Sequence, residues 1–347
     1  MRKTVSPITD RQKTILALIV REYTETARPV GSKRLIDRYS LRVSSATVRN
    51  EMAALTDSGY LRQPYTSAGR IPTEIGYRYF VRRLLGDTEL PMAEKRLISH
   101  QFHQAPIDMD EWLRLSASIL AQHSSVASLV TTPQPERAIF KHLELISIKD
   151  HQVLLVLVLQ GGDVRQQMLT LADIWDQAKL ALTAAEITTL CAGMDAQDIQ
   201  LHSDQKSDLL QDISRLVAEM MARADEVWTG EIYRDGLTNV LAQPEFAGSE
   251  AARPALRLLE ERGFLDEVLA HVLSPNINGV QVMIGGEGGW EELRDCSMVL
   301  TRYGAPGIAI GALGVLGPTR MAYGRTISTV RYVAGLLSEL VIETFAE

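Results

Sequence analysis

The stretch VSSATVRNEMAALTDSGYL, Val43 to Leu61, decides the fold. Its apolar residues Val48, Met52 and Leu55 recur at i, i+4 and i+7, the spacing of one helix face. Ser44 stands where an N-cap hydroxyl belongs, and Gly59 can take the left-handed conformation that ends a helix. The opposite side is unusual. It carries Ala46, Thr47, Arg49, Asn50 and Ala53 in place of the Lys and Glu common on a solvated helix. A step of about 100° per residue turns Ala46, Asn50 and Ala53 away from the core, with Thr47 and Arg49 flanking them. Small side chains let a helix backbone come close to another surface.

The flanking text completes a pattern. Upstream, ITDRQKTILALIVREYTE opens with Thr9 and Gln12, a capping-box pair, and runs an apolar stripe through Ile15, Leu16, Ile19, Val20 and Tyr23. Pro29 stops that helix. Ser32 is expected to cap a short second one, KRLIDRYS, buried through Leu35, Ile36 and Tyr39. Downstream, Tyr60 to Gln63 suits a strand. TSAG is turn chemistry, with Gly69 expected at positive φ, and Arg70-Ile71 returns. Pro72 sits where an edge strand tolerates it, and Thr73 caps a fourth helix, EIGYRYFVRRLL. Three helices, a hairpin and a helix spell a winged helix-turn-helix over residues 1–85.

The chain has 347 residues and a net charge of −7. That total argues against a nucleic-acid partner, but the distribution reverses it. Residues 1–85 hold 16 Lys and Arg against 7 Asp and Glu, and the remainder holds 20 against 36. A basic head on an acidic body fits a local footprint for a polyanion; a solvated basic face without a partner is the other explanation. The longest apolar run, VLLVLVL at Val153–Leu159, is too short for a membrane span, which needs about 20 residues, and is expected to be a buried strand. Met1-Arg2-Lys3 is not followed by an apolar h-region, so no secretory signal is expected. Cys191 and Cys296 stand far apart without a CxxC pattern, as suits a reducing cytoplasm.

Residues 86–107 read as a mixed connector and Met109–Val130 as one helix. Strands follow at KHLELISI, QVLLVLVLQ and VRQQMLTL. A mostly helical stretch from about Ala172 to Leu273 ends with SEAARPALRLLEER. Strands resume at GVQVMIGG, CSMVLTRY and GIAIGALGVLG, and a long helix closes the chain. Strands on both sides of a helical block imply one α/β domain interrupted by an inserted subdomain.

The chemistry of the third helix suits base reading. Arg49 can bond guanine bidentately, Asn50 can do the same for adenine, and the methyls of Ala46 and Thr47 can touch thymine. Ser44 and Ser45, at the helix N-terminus, are placed for phosphate. Lys33 and Arg34 lie on the preceding helix, which crosses the phosphate backbone in such motifs, and are assigned to phosphates. Arg38 could join them, or pair with Asp37 or Glu22. In the hairpin Thr66, Ser67 and Arg70 can reach a groove or phosphate, and Arg78 is a further phosphate candidate beside the solvated Arg82 and Arg83.

PVGSKRLIDRYSLRVSSATVRNEMAALTDSGYLRQPYTSAGRIPTEIGYRYFV, residues 29–81, resembles the heat-inducible transcription repressor HrcA family, as do IYRDGLTNVLAQPEF at Ile232–Phe246 and LGPTRMAYGRTI at Leu316–Ile327. The resemblance implies a multidomain α+β fold: a winged helix-turn-helix over 1–85, a linker over 86–107, a GAF-like α/β domain over 108–172 and 274–347, and a mostly helical inserted dimerisation domain over 173–273. It implies a homodimer that binds an inverted-repeat operator in double-stranded DNA, represses chaperone operons in the cytoplasm and depends on the GroE chaperonin for its activity. The alternative is a winged-helix regulator controlled by a small molecule in the GAF-like domain.

No membrane, cofactor, metal or catalytic set is expected. His100 and His103 lack companion ligands, and GGEGG at Gly285–Gly289 lacks the GK[ST] of a phosphate loop.

Overall fold

The computed structural model describes residues 8–66, 68–106, 108–134, 137–160, 162–203, 208–226, 230–246, 265, 267–269, 272, 279–287 and 293–345. They divide into two compact units. The first comprises Met1–Thr132, Glu231–Tyr303 and Gly311–Leu340; the second comprises Pro133–Gly230, Gly304–Ile310 and Val341–Glu347.

The first unit begins with α1 (Asp10–Thr26), α2 (Ser32–Tyr39) and α3 (Ser45–Asp57). The Thr9–Gln12 capping box is formed in both directions. Ile15, Leu16, Ile19 and Val20 are buried on α1, which packs on α3 through Val48, Met52 and Leu55. Burying side chains of this size stabilises the fold by roughly 1.5–3 kcal/mol each. Ser44 caps α3, accepting from the Thr47 amide at 3.1 Å. Ser32 does not cap α2, contrary to expectation. Gly31 holds that position, and the Ser32 hydroxyl bonds Ser45 at 2.9 Å.

A short antiparallel hairpin follows, β1 (Leu61–Arg62) with β2 (Ile71–Pro72). Thr73 caps α4 (Glu74–Tyr79), which continues as one π-helical turn, Phe80–Leu84. Gly69 does not take the expected positive φ. Its role is close approach. The Arg70 backbone bridges to Val30, and a Cβ on Gly69 would lie 2.4 Å from the Val30 carbonyl.

The segment expected to be a linker holds α5 (Met92–Gln104), because Ile98 and Phe102 at i and i+4 have a core to enter. The next helix, α6 (Met109–Ser124), ends earlier than its apolar pattern suggests. Ser125 takes φ 56°, and Ala127–Thr131 forms β3, buried throughout. β3 lies in a five-stranded sheet of order β7-β3-β10-β9-β8, with β7 (Ile232–Asp235), β8 (Gln281–Ile284), β9 (Cys296–Ala305) and β10 (Ala309–Pro318). A short helix, α10 (Leu237–Leu241), follows β7. The last helix, α11 (Tyr323–Phe345), buries one stripe through Ile327, Val330, Val333, Ala334, Leu337 and Val341.

The second unit is a three-stranded antiparallel sheet, β4 (Phe140–Lys149), β5 (Gln152–Leu159) and β6 (Val164–Thr170), with α7 (Gln177–Cys191), α8 (Ala196–Ser203) and α9 (Asp208–Glu226). Leu143, Leu145, Leu155, Leu157 and Leu159 share one core with Leu180, Ile187, Ile213, Val217 and Met221. The expected division at 172/173 therefore falls inside a single core. The expected return to the first domain at 274 comes late as well, since β7 already pairs with β3 through Tyr233 and Val130. β5 is buried on one face only: Val153, Leu155, Leu157 and Leu159 point inward, and Leu154, Val156 and Val158 are half-buried. SEAARPALRLLEER lies outside the described residues. No helix among them is long and apolar enough to cross a membrane.

Candidate nucleic-acid interface

The outer face of α3 is open. Ala46, Arg49 and Asn50 are exposed, and Thr47 and Ala53 are partly so. Among the described residues no side chain bonds or pairs with Arg49 or Asn50, so their donors and acceptors face outward. Ser44 is exposed, but its hydroxyl is engaged in the cap with the Thr47 amide and the Thr47 hydroxyl, the latter at 2.9 Å. The Ser45 hydroxyl turns inward to Ser32.

Three polar ties hold α3 at this angle. Glu51 accepts from the Gln12 amide at 3.0 Å and pairs with Arg11 at 3.4 Å, fixing α3 to α1. Ser45 and Ser32 fix it to α2. Arg70 donates Nε to Thr56 Oγ1 at 2.9 Å, fixing the hairpin to the end of α3. Arg70, expected at DNA, is therefore half-buried and committed to Thr56.

The α2 cations divide. Lys33 is exposed, and among the described residues it has no bonded partner. Arg34 instead pairs with Glu22, whose carboxylate is fully buried on α1. The alternatives for Arg38 resolve the same way: it pairs with Glu22 at 2.9 Å and with Glu25 at 2.5 Å. The bond to Glu25 holds the Arg38 guanidinium above its ordinary pKa. Two acids of α1, Glu22 and Glu25, thus offset much of the positive charge that α2 shows in the sequence.

Arg78 leaves the expected phosphate set. Its Nε donates to the Ile284 carbonyl at 3.0 Å, and its Nη2 donates to the Ile284 and Gly285 carbonyls at 2.6 and 2.5 Å. Those acceptors lie at the end of β8 and one residue past it, inside the protein's own first unit. Thr66 is exposed at the hairpin tip, its carbonyl accepting from Gln63 Nε2 at 2.7 Å. Ser67 lies outside the described residues. One cation had not been singled out: Arg42, exposed in the turn before α3, with no bonded partner among the described residues. Its place two residues ahead of the Ser44 cap was the available signal.

The open face thus combines short side chains, one Arg and one Asn, and the exposed Lys33 and Arg42 stand on the segments that lead into α3. It can approach a grooved polyanion and discriminate donor and acceptor patterns within it. Residues 110–327 match the HrcA protein C terminal domain. The heat-inducible transcription repressor HrcA of Roseiflexus castenholzii is 43% identical over 97% of this chain and 96% of its own. That of Herpetosiphon aurantiacus is 43% identical over 98% and 97%, and that of Dehalococcoides mccartyi 38% over 98% of each. A crystal structure described as a hypothetical protein aligns with a TM-score of 0.57 at 23% identity, over 97% of this chain and 98% of that one, which is a likeness of fold.

The protein is a transcription repressor and not an enzyme. It belongs to the family of heat-inducible transcription repressors named HrcA.

Proposed function

We propose that the chain represses heat-shock operons from the cytoplasm by placing α3 in the DNA major groove, as the recognition helix of a winged helix-turn-helix. The observation that carries this is the outer face of α3, where Ala46, Arg49 and Asn50 stand exposed opposite the buried Val48, Met52 and Leu55. Arg49 and Asn50 read bases, and Ala46 and Thr47 meet thymine methyls. Lys33 and Arg42 bind phosphate, with Ser44, Ser45, Thr66 and Ser67 near the backbone. Arg34 reaches a phosphate only by sharing its guanidinium with Glu22.

The operator is an inverted repeat, and a two-fold dimer matches it. The five-stranded sheet is the GAF-like domain. The inserted dimerisation domain is the β4–β6, α7–α9 unit. The outward side of β4–β6 suits a second copy: Ile146, Leu154 and Met168 pair in one row, and Ile148 and Val164 extend it. Ile146, Ile148, Val164 and Met168 are 40–52% exposed. An apolar sheet face of this kind is a natural association surface. The family resemblance adds the GroE chaperonin as the partner that maintains activity.

Footprinting on DNA upstream of chaperonin genes, with and without chaperonin, tests the proposal. Protection of an inverted repeat that strengthens with chaperonin is expected. Equal binding to that DNA and to a scrambled duplex at physiological salt overturns it.

A further inference from the structure

The DNA-reading head, residues 8–84, is bound to the five-stranded body through three separate elements. From α4, Arg78 spans the carbonyls of Ile284 and Gly285 with three hydrogen bonds. Its Nε lies 3.5 Å from Glu287, and Arg82 pairs with the same carboxylate. From the body, Arg320 reaches back to α1, donating to the Thr24 carbonyl at 3.2 Å and to Gln243 Oε1 at 2.8 Å while pairing with Glu245. The connecting segment is fastened too. Thr88 donates to the Gly324 carbonyl at 3.0 Å, and Ser99 meets the Tyr332 hydroxyl at 2.6 Å.

The start of the glycine-rich stretch that matched no phosphate loop, Gly285 with Glu287, is the seat of this clamp. Gly285 takes φ 54°, and a Cβ there would lie 2.7 Å from the Glu74 side chain of α4. A bare backbone at Gly285 leaves room for Glu74 beside the two carbonyls that Arg78 bonds. A guanidinium bonding backbone carbonyls forms charge-assisted bonds, which are stronger and more directional than neutral ones.

A head on a loose tether engages half-sites at many separations. A head held rigidly engages both halves of a repeat only when their spacing fits, and otherwise the second contact is lost. We infer that Arg78 and Arg320 narrow the range of half-site spacings this repressor accepts, by removing the head's freedom on the body. They act as positioning residues and do not touch DNA. The inference rests on the inverted-repeat reading above.

The test uses the full-length protein, its Arg78→Gln and Arg320→Gln variants, and the pair combined. Affinity is measured on duplexes whose half-sites are moved apart or together by single base pairs over about half a helical turn, about 5 bp. A duplex with one half-site serves as control. The wild type is expected to lose roughly a hundredfold or more away from its best spacing. The variants are expected to bind that spacing more weakly but to lose less than about tenfold across the series, with single half-site affinity unchanged. Cooperative melting certifies each variant; where the pair fails to melt cooperatively, Glu287→Gln, which loosens the same clamp, replaces it.

A variant profile as steep as the wild type's overturns the inference, and so does a flat wild-type profile. Variants that bind every spacing more tightly would make the clamp a brake on DNA binding, and also overturn it. A wild type that does not separate the repeat from scrambled DNA overturns the underlying reading instead.

Discussion

Arg34 on α2 donates to the carboxylate of Glu22, a residue of α1 with no exposed surface. Arg38 at 2.9 Å and the Tyr39 hydroxyl at 3.4 Å bond the second oxygen. A buried carboxylate is tolerated because it is paired, and this pairing fixes where α2 crosses α1. Arg34→Met should lower unfolding free energy by about 1–3 kcal/mol, the half-exposed guanidinium keeping the loss below that of a fully buried pair. Glu22→Gln removes the buried charge itself and should cost only about 1 kcal/mol. Urea melts of both variants decide. The reverse order would mean that the charge of Glu22, which Gln removes while keeping the shape, matters more than its pairing with Arg34.

Arg49 and Lys33 should separate base reading from backbone binding. Arg49→Ala is expected to lose about 1–3 kcal/mol against the native operator and to relax preference at one base pair. Lys33→Ala should weaken all sequences alike and reduce the slope of log affinity against log salt by about 0.9. Fluorescence anisotropy over a salt series, on operator and single-substitution duplexes, measures both. An unchanged base preference in Arg49→Ala would remove that residue from the reading face.

Arg70 should act on DNA through α3. Arg70→Gln is expected to weaken operator binding with an unchanged salt slope, and Thr56→Val should reproduce the loss. A slope reduced by about 0.9 would return Arg70 to the phosphate contacts. Its neighbour supplies a stability test. Gly69→Ala pushes a methyl into the Val30 carbonyl and should cost about 1–3 kcal/mol in thermal melts.

Stability should fall at alkaline pH. Burial raises Tyr77, Tyr303 and Tyr323 above their ordinary 10.0 and pushes the Cys296 thiol from 9.0 up to about 12. The unfolded chain releases these protons first. The stability is therefore fully present at neutral pH and declines as pH climbs through 9.0 and 10.0, by about 1.4 kcal/mol per pH unit for each group. Among the described residues the buried Tyr77 hydroxyl has no hydrogen-bond partner. Tyr77→Phe should therefore be neutral or stabilising by about 1 kcal/mol at pH 7, with a shallower alkaline decline. Melting curves from pH 7 to pH 11 check this, and a clear loss at pH 7 would show that the hydroxyl is bonded after all.

Local order was legible wherever it depends on near neighbours. The Thr9–Gln12 box, the Ser44 cap, the Val48–Met52–Leu55 stripe and the final helix are all set by residues within a turn or two of one another. The connector was misjudged because Ile98 and Phe102 make a helix face only when a body exists to cover it. Likewise, the strands at 140–170 were legible in the sequence, Val153–Leu159 from its apolar run, but an apolar run does not say which sheet a strand joins.

The same division runs through the interface. Composition showed that the head is basic, and spacing showed which face of α3 turns outward. Which cations remain available was decided by partners far along the chain: Glu22 for Arg34, Thr56 for Arg70, and the carbonyls of Ile284 and Gly285 for Arg78. A helix face is a property of a dozen consecutive residues, so the sequence by itself determined it. A guanidinium's partner is whatever carboxylate or carbonyl the folded chain brings within about 3 Å, and only the tertiary structure decides that.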